Sequence, residues 1–342
     1  MDPPTFLPKK HIAYFQRCLT LLPHPYQSEE SVRLSLAFFC LGGLDVLGAL
    51  DATLTDDQRQ GHIDWVYAQQ VTPAITTVPG THGFRGGPFD GPLDDRVNGV
   101  NYVTANLATT YSALLSLVIL GDDLARVDRK AIVRSMTYLQ QPNGGIVPHP
   151  YSAECDIRFL YCACVICHLL DDWSGFDSDR AVEFIRRCQN YDGGIATSPG
   201  EESHGGMMLC ATASLKLMGR LADGLPDRVA VLRWCIDRQN QGFHGRINKT
   251  DDTCYSFWVG AALKVLGHYD LIDDNRQREF LLTTQRHIGG FGKAPTEYPD
   301  VLHSYMGLVA FSMMGESGLA EIIPELNISK ESYQKFLVKR CV

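Results

Sequence analysis

Gly242-Phe243-His244-Gly245-Arg246-Ile247-Asn248-Lys249-Thr250-Asp251-Asp252-Thr253-Cys254-Tyr255-Ser256-Phe257-Trp258 runs on to a closing glycine at Gly267. A glycine turn opens it, a polar loop follows, and apolar residues then recur at helical spacing through Phe257, Trp258, Ala261, Ala262, Val265 and Leu266. Asp252 stands where an N-cap belongs, and Cys254 falls in the first helical turn. The same sentence is written elsewhere in the chain. Gly144-Gly145, Gly193-Gly194 and Gly289-Gly290 repeat the opening turn, and Gln141, Gln189 and Gln285 precede three of the turns. The closing positions Asp171, Gly219, Gly267 and Gly315 are spaced by 48 residues. The fifth copy is imperfect, with Gln241 in place of its first glycine.

Weaker copies run through Gln69-Gln70 and Gly86-Gly87 into 111–121, and from the N-terminus to about Gly48, where 11–22 and 31–50 read as two helices. The sum is about six helix-turn-helix units. The segments 161–170 and 255–266 are more apolar than 179–189 and 227–239. Inner and outer layers of helices follow, hence an all-α chain folded as one α/α barrel, a toroid, over residues 1–342.

The composition narrows the function. Hydrophobic residues make up 45% of the chain, ample for a large core, and the formal charge of −8 argues against a nucleic-acid surface. No apolar run reaches the roughly 20 residues of a membrane span, so no stable membrane insertion is expected. Eleven cysteines without a signal-like start at Met1-Asp2-Pro3-Pro4 point to reduced thiols and a cytoplasmic protein. The ending Lys339-Arg340-Cys341-Val342 places its cysteine next to last, where a lipid-acceptor motif wants it fourth from the end.

The period also aligns chemistry. Asp156, His204, Asp252 and Asp300 occupy equivalent positions and form one ring at the barrel mouth; Arg158, Gly206, Cys254 and Leu302 form the next level, with His303 one step beyond. Asp252, Cys254 and His303 thus offer O, S and N ligands, a set that suits zinc with one open position. The same residues also read as a plain N-cap and a small core thiol. Arg246, Lys249, His204, Tyr255 and, from the next turn, Lys293 make a cationic patch fit for phosphate oxygens. A solvated loop is the alternative. Phe38, Phe39, Tyr111, Tyr161, Trp258 and Tyr305 could wall a long apolar ligand or simply be core. Cys162, Cys164, Cys167 and His168 invite a second zinc, but lie within an apolar helix without a matching pair.

Ser203-His204-Gly205-Gly206, His244-Gly245-Arg246-Ile247-Asn248-Lys249, Asp252 to Trp258 and Asp300-Val301-Leu302-His303 resemble the β subunits of protein prenyltransferases. Phe15 to Leu19, Leu117 to Leu124 and Cys254 to Ala261 resemble the type I, geranylgeranyl-transferring branch of that family. The resemblance covers nearly the whole chain. It implies an α/α barrel that works with a helical-repeat α subunit as an obligate heterodimer. Such an enzyme joins geranylgeranyl, from its diphosphate, to the cysteine of a C-terminal CaaX motif, often Leu-ended, on proteins such as small GTPases.

The resemblance further implies one zinc on Asp252, Cys254 and His303, which stabilises the acceptor thiolate. Diphosphate contacts fall to His204, Arg246, Lys249 and Tyr255, with Gly205 and Gly206 beside them. Ser35, Tyr111, Tyr161, Cys210 and Trp258 match the isoprenoid wall, and Arg158, Phe39 and Leu302 the acceptor-peptide site. Ser35 falls where the farnesyl branch has a bulky Trp, and where a small Thr is usual in the geranylgeranyl branch. Lys293 falls where the farnesyl branch has an Asp that recruits magnesium, so magnesium is not expected to be required. Farnesyl and Rab-specific branches, and a non-enzymatic α/α toroid, remain as alternatives. A terpene cyclase would need an Asp-Asp-x-x-Asp metal motif, and a complement-type toroid a Gly-Cys-Gly-Glu-Gln thioester; the chain contains neither.

Overall fold

The computed structural model describes residues 5–88 and 103–340; the N-terminal Met1-Asp2-Pro3-Pro4 and Cys341, read above, lie outside the described residues. In chain order the helices are α1 (Pro8–Thr20), α2 (Arg33–Val46), α3 (Leu50–Thr53), α4 (Asp56–Tyr67), α5 (Leu107–Ile119), α6 (Arg129–Met136) and α7 (Ile157–Leu170). They continue with α8 (Ser178–Cys188), α9 (Gly205–Leu217), α10 (Arg228–Ile236), α11 (Thr253–Val265), α12 (Asp274–Thr284), α13 (Val301–Met313) and α14 (Lys330–Arg340). Among the described residues three antiparallel hairpins with strands of only two residues interrupt the helices, the last pairing Ile322–Ile323 with Ile328–Ser329.

The inner helices pack in the order α2, α5, α7, α9, α11, α13 and back to α2, which closes the ring. Each is preceded by an outer helix: α1, α4, α6, α8, α10 and α12 in turn. The expected six-unit toroid is therefore the observed fold. The expected N-terminal helix over 31–50 is broken, however. A 3-10 segment spans His24–Val32, α2 stops at Val46, and Gly48 turns the chain at φ +61° before α3.

Both helix ends follow from the repeat. Asn106, Asp156, His204, Asp252 and Asp300 each accept a backbone N–H in the first turn of the inner helix they precede. At the other end Gly121, Asp171, Gly219, Gly267 and Gly315 all take positive φ, the left-handed turn that ends a helix most cheaply on glycine. All the inner helices thus run in one direction, with the capped ends at the mouth.

The glycine turns seat each unit against the next outer helix. A side chain at Gly144 would lie 2.1 Å from the Arg180 carbonyl of α8, and one at Gly193 2.5 Å from Ala230 of α10. At Gly289 the neighbour is Lys10 of α1, at 2.0 Å. The last unit thus treats the first outer helix as its next. His11 of α1 completes this seam: fully buried, it stacks on Phe291 and holds Gln285 Oε1 at 3.0 Å through Nε2. Its Nδ1 accepts the Gly290 N–H at 3.0 Å, so the neutral Nε2–H tautomer is the one that fits.

Burial lowers the His11 pKa from 6.5 to about 4, against a smaller opposing effect of the Gln285 hydrogen bond. Between those values the unfolded chain binds the extra proton, so stability is fully present above about pH 6.5 and is lost as pH falls toward 4, by about 3 kcal/mol. Urea midpoints at pH 7 and 4.5 check this. The wild type is expected to lose more on acidification than H11N, which has no imidazole to protonate.

The far end of the barrel is closed by the C-terminal hairpin and α14. Tyr305 Oη donates to the Asn327 carbonyl at 2.6 Å and Tyr161 Oη to that of Glu325 at 3.2 Å. Buried Asp45 of α2 accepts the Ser332 hydroxyl at 2.6 Å. Arg340 caps α7 through the carbonyls of Leu169 and Leu170. No described helix is long and apolar enough to cross a membrane.

Candidate active site and metal centre

Asp252 caps α11, Cys254 lies in its first turn, and His303 in the first turn of the neighbouring α13. One ligand atom from each lies within 4.8 Å of the others, and no second such trio occurs among the described residues. Cys162, Cys164 and Cys167 remain core thiols of α7, and His168 Nε2 is engaged by the Tyr333 hydroxyl at 2.7 Å.

The trio is pre-set by its neighbours. His303 Nδ1 faces Asp300 Oδ2 at 2.6 Å, which leaves Nε2 directed at Asp252, 3.3 Å away. Burial opposes a charge on the ring, yet Asp252 and Asp300 outweigh it and raise the His303 pKa to about 9. Burial likewise works against the Asp252 carboxylate, but His303 and Cys254 hold it below the ordinary carboxylate range. The Cys254 thiol is pushed well up by burial and by Asp252. Two carboxylates, one of them behind the imidazole, and one sheltered thiol are a donor set for a soft-to-borderline divalent cation.

The patch beside it is equally ordered. His204 Nδ1 accepts the Gly206 N–H at 3.0 Å, so Nε2 carries the proton and donates to Tyr255 Oη at 2.9 Å. Burial and the Arg246 charge lower the His204 pKa, which keeps that neutral tautomer. With its oxygen already accepting, the Tyr255 hydroxyl proton is free for an anion. Burial, Cys254 and Asp252 push the phenol pKa up, so the proton stays.

Gly205 donates its N–H to the Gly245 carbonyl at 2.8 Å, and Gly245 lies flat against the Tyr255 ring. Tyr255 in turn meets Trp258 edge-on, ring centroids 5.3 Å apart. Arg246 reaches Glu202 at 3.3 Å through one Nη, while its buried Nε has no protein partner. Lys249 is exposed on the same loop, its N–H on the Arg246 carbonyl. Asp251 staples that loop by accepting the N–H groups of Gln241 and Gly242, the turn that lacks its first glycine. Lys293 is exposed; its carbonyl accepts the Thr253 N–H at 3.0 Å, and its charge opposes the rise of the Cys254 pKa.

The remaining expected residues are spread over the inner helices. Phe39, Tyr111, Cys210, Trp258 and Leu302 are half-buried on inner helices, and Tyr111 and Tyr161 pack ring to ring at 5.5 Å. Burial raises the Cys210 thiol to about 12. Of the residues read as wall or core, Phe38 and Tyr305 are buried at 1% and 0% exposure. Ser35 sits across the ring and meets the Ser112 hydroxyl at 3.0 Å. Arg158 is not bare at the mouth: Asp156 grips it through Nε and Nη2, and Glu154 is a further partner.

Sequence reasoning missed three contributors. Asp300 was read as a ring member, not as the partner of His303, although their i, i+3 spacing was a usable signal. Gly245 stands in the His244–Lys249 motif, whose pattern does not announce its place against the Tyr255 ring. Tyr26, whose hydroxyl accepts the first N–H of α13 at 2.9 Å, left no trace in the sequence.

A family model of the prenyltransferase alpha-alpha toroid domain matches residues 6–328. The geranylgeranyl transferase type-1 subunit beta of Arabidopsis thaliana is 42% identical over 338 residues, covering 93% of this chain and 88% of that protein. That of Dictyostelium discoideum is 39% identical over 340 residues, 96% of each. The solved structure of Candida albicans protein geranylgeranyltransferase-I complexed with GGPP matches with a TM-score of 0.87 at 30% identity, over 98% of this chain and 99% of that one. With its closed ring of six helix pairs and its Asp-Cys-His trio beside a cationic loop, the chain belongs to the prenyltransferase α/α-toroid family, with the β subunits of type-1 geranylgeranyl transferases.

Proposed function

We propose that this chain is the catalytic β subunit of a type I protein geranylgeranyltransferase. It works with an α subunit in the cytoplasm and transfers geranylgeranyl from its diphosphate to the cysteine of a C-terminal CaaX motif. The observation that carries the reading is the meeting of Asp252, Cys254 and His303 within 4.8 Å, at the start of the helix, α11, that also presents Tyr255 to the cationic loop. Zinc fits that donor set, and when bound it would lower the acceptor thiol's pKa so that thiolate is present at neutral pH.

The rest of the chemistry falls to side chains. The thiolate sulfur forms a bond to C1 of the isoprenoid as the C1–O bond breaks, and negative charge grows on the departing diphosphate. Tyr255 donates its hydroxyl proton as a hydrogen bond, Arg246 offers its unpartnered Nε–H, and Lys249 and Lys293 add point charge. His204 holds the phenol in place. No side chain need act as a base. The half-buried wall of Tyr111, Cys210 and Trp258 suits the apolar tail, and small Ser35 leaves depth for a twenty-carbon chain. Phe39 and Leu302 would flank the last acceptor side chain, with Arg158 toward its carboxylate.

Co-expression with an α subunit, zinc quantitation, and competition of C15 against C20 diphosphates on Leu-ended and Met-ended peptides test this. One zinc per heterodimer and preference for the C20 donor with the Leu-ended peptide are expected; preference for C15 and Met would move the chain to the farnesyl branch. Lys293 supplies a fixed charge where magnesium would serve. Activity of the wild type is therefore expected without added magnesium, and K293D is expected to gain a magnesium requirement, read as rate against magnesium concentration. An equal rate at all concentrations in K293D would remove Lys293 from the leaving-group site.

A further inference from the structure

The end of α1, the 3-10 segment His24–Val32 and one face of α2 enclose a cavity of about 360 Å³. Leu22, Leu36 and Trp65 line it, with Arg33 and His62 among its polar groups. Two thiols from different helices share this lining: Cys18 of α1, 4% exposed, and Cys40 of α2, 1% exposed. Their helices, α1 and α2, pack directly on each other. The neighbouring Cys40 thiol lowers the Cys18 pKa, while burial raises that of Cys40, so the first proton leaves Cys18 more readily than an ordinary thiol. Cys162, Cys164 and Cys167 differ: they are sealed in the core of α7, and burial pushes each thiol up.

We propose that Cys18 and Cys40 form a dithiol site, open through this cavity, for soft thiophilic centres that accept two sulfur ligands, with a trivalent arsenical as the probe. Two sulfurs on one cavity, carried by two packed helices, present a chelate that a single buried cysteine does not. The reaction with an aryl arsenoxide is a condensation. The As=O bond is lost, two As–S bonds form, both thiol protons leave with the oxygen as water, and arsenic stays trivalent. The adduct ties α1 to α2. It also lies in the cavity that Tyr26 lines, whose hydroxyl holds the start of the helix bearing His303.

The test uses the zinc-loaded heterodimer titrated with phenylarsine oxide and read by intact mass. One adduct per β subunit is expected, removed by a dithiol such as 2,3-dimercaptopropanol and resistant to a monothiol. C18S and C40S should each weaken binding by about 100-fold, the advantage of the second, intramolecular bond, while C155S binds as the wild type does. Should the serine variants fold poorly, alkylation mapping of the wild type decides: the arsenical should shield Cys18 and Cys40 together from iodoacetamide. Unchanged binding in either serine variant, or shielding of other cysteines instead, overturns the assignment.

Discussion

Cys254→Ala is expected to empty the metal centre and to slow prenyl transfer by about 10³-fold or more, while binding of the isoprenoid diphosphate survives. Only two ligands of the trio would remain, and one of them, His303, is then a cation held by Asp252 and Asp300 rather than a neutral donor. An unassisted acceptor cysteine with a pKa near 8.5 is about 3% thiolate at pH 7, a loss of roughly 30-fold. Misplacing the nucleophile by about 1 Å costs a further ~10²-fold. Zinc content by atomic absorption and single-turnover rates measure both parts. The diphosphate grip proposed above rests on His204, Arg246, Lys249 and Tyr255, none of which is a trio member. Stoichiometric zinc and an unchanged rate in C254A would show that the ligand assignment is wrong.

Gly245→Ala is expected to be nearly as damaging, although residue 245 holds no functional group. Its new methyl would lie 1.9 Å from Tyr255 Cζ and 2.4 Å from Oη, far inside contact distance. Pinned by the His204 hydrogen bond and by Trp258, the phenol has to break one of these to escape. Losing one donor aimed at developing charge costs ~10²-fold in kcat. The effect should vanish in a background where there is no ring to displace: G245A/Y255A should be no slower than Y255A alone. A wild-type kcat in G245A would mean that Tyr255 does not serve the leaving group.

The ring of helices was legible because its signals are periodic. The left-handed closing turns at Gly219, Gly267 and Gly315 and the caps at Asp156, His204, Asp252 and Asp300 recur at one spacing, and a spacing survives without coordinates. His303 was found beside Cys254 for the same reason. What a period does not carry is the direction of a side chain or the path of a segment outside the repeat. Asp300 and Asp252 are equivalent by register, yet one points at His303 Nδ1 and the other at Nε2. Phe38 and Phe39 are adjacent apolar residues, and only the helix phase sends one into the core. Tyr26 and the hairpin at 322–329 belong to no unit, so nothing in the repeat announced that one steadies α13 and the other seals the barrel.

The common direction of the inner helices has an electrostatic sequel. Each helix carries roughly half a positive unit at its N-terminus, so the parallel ring gathers several such partial charges around one opening of a protein whose formal net charge is −8. At α7, α11 and α13 an aspartate cap offsets that field locally. At α9 the cap is a neutral imidazole, and two glycines follow it. That uncompensated dipole points into the same corner as Arg246 and Lys249, which gives an acidic molecule a local attraction for a polyanion that weakens as salt is added.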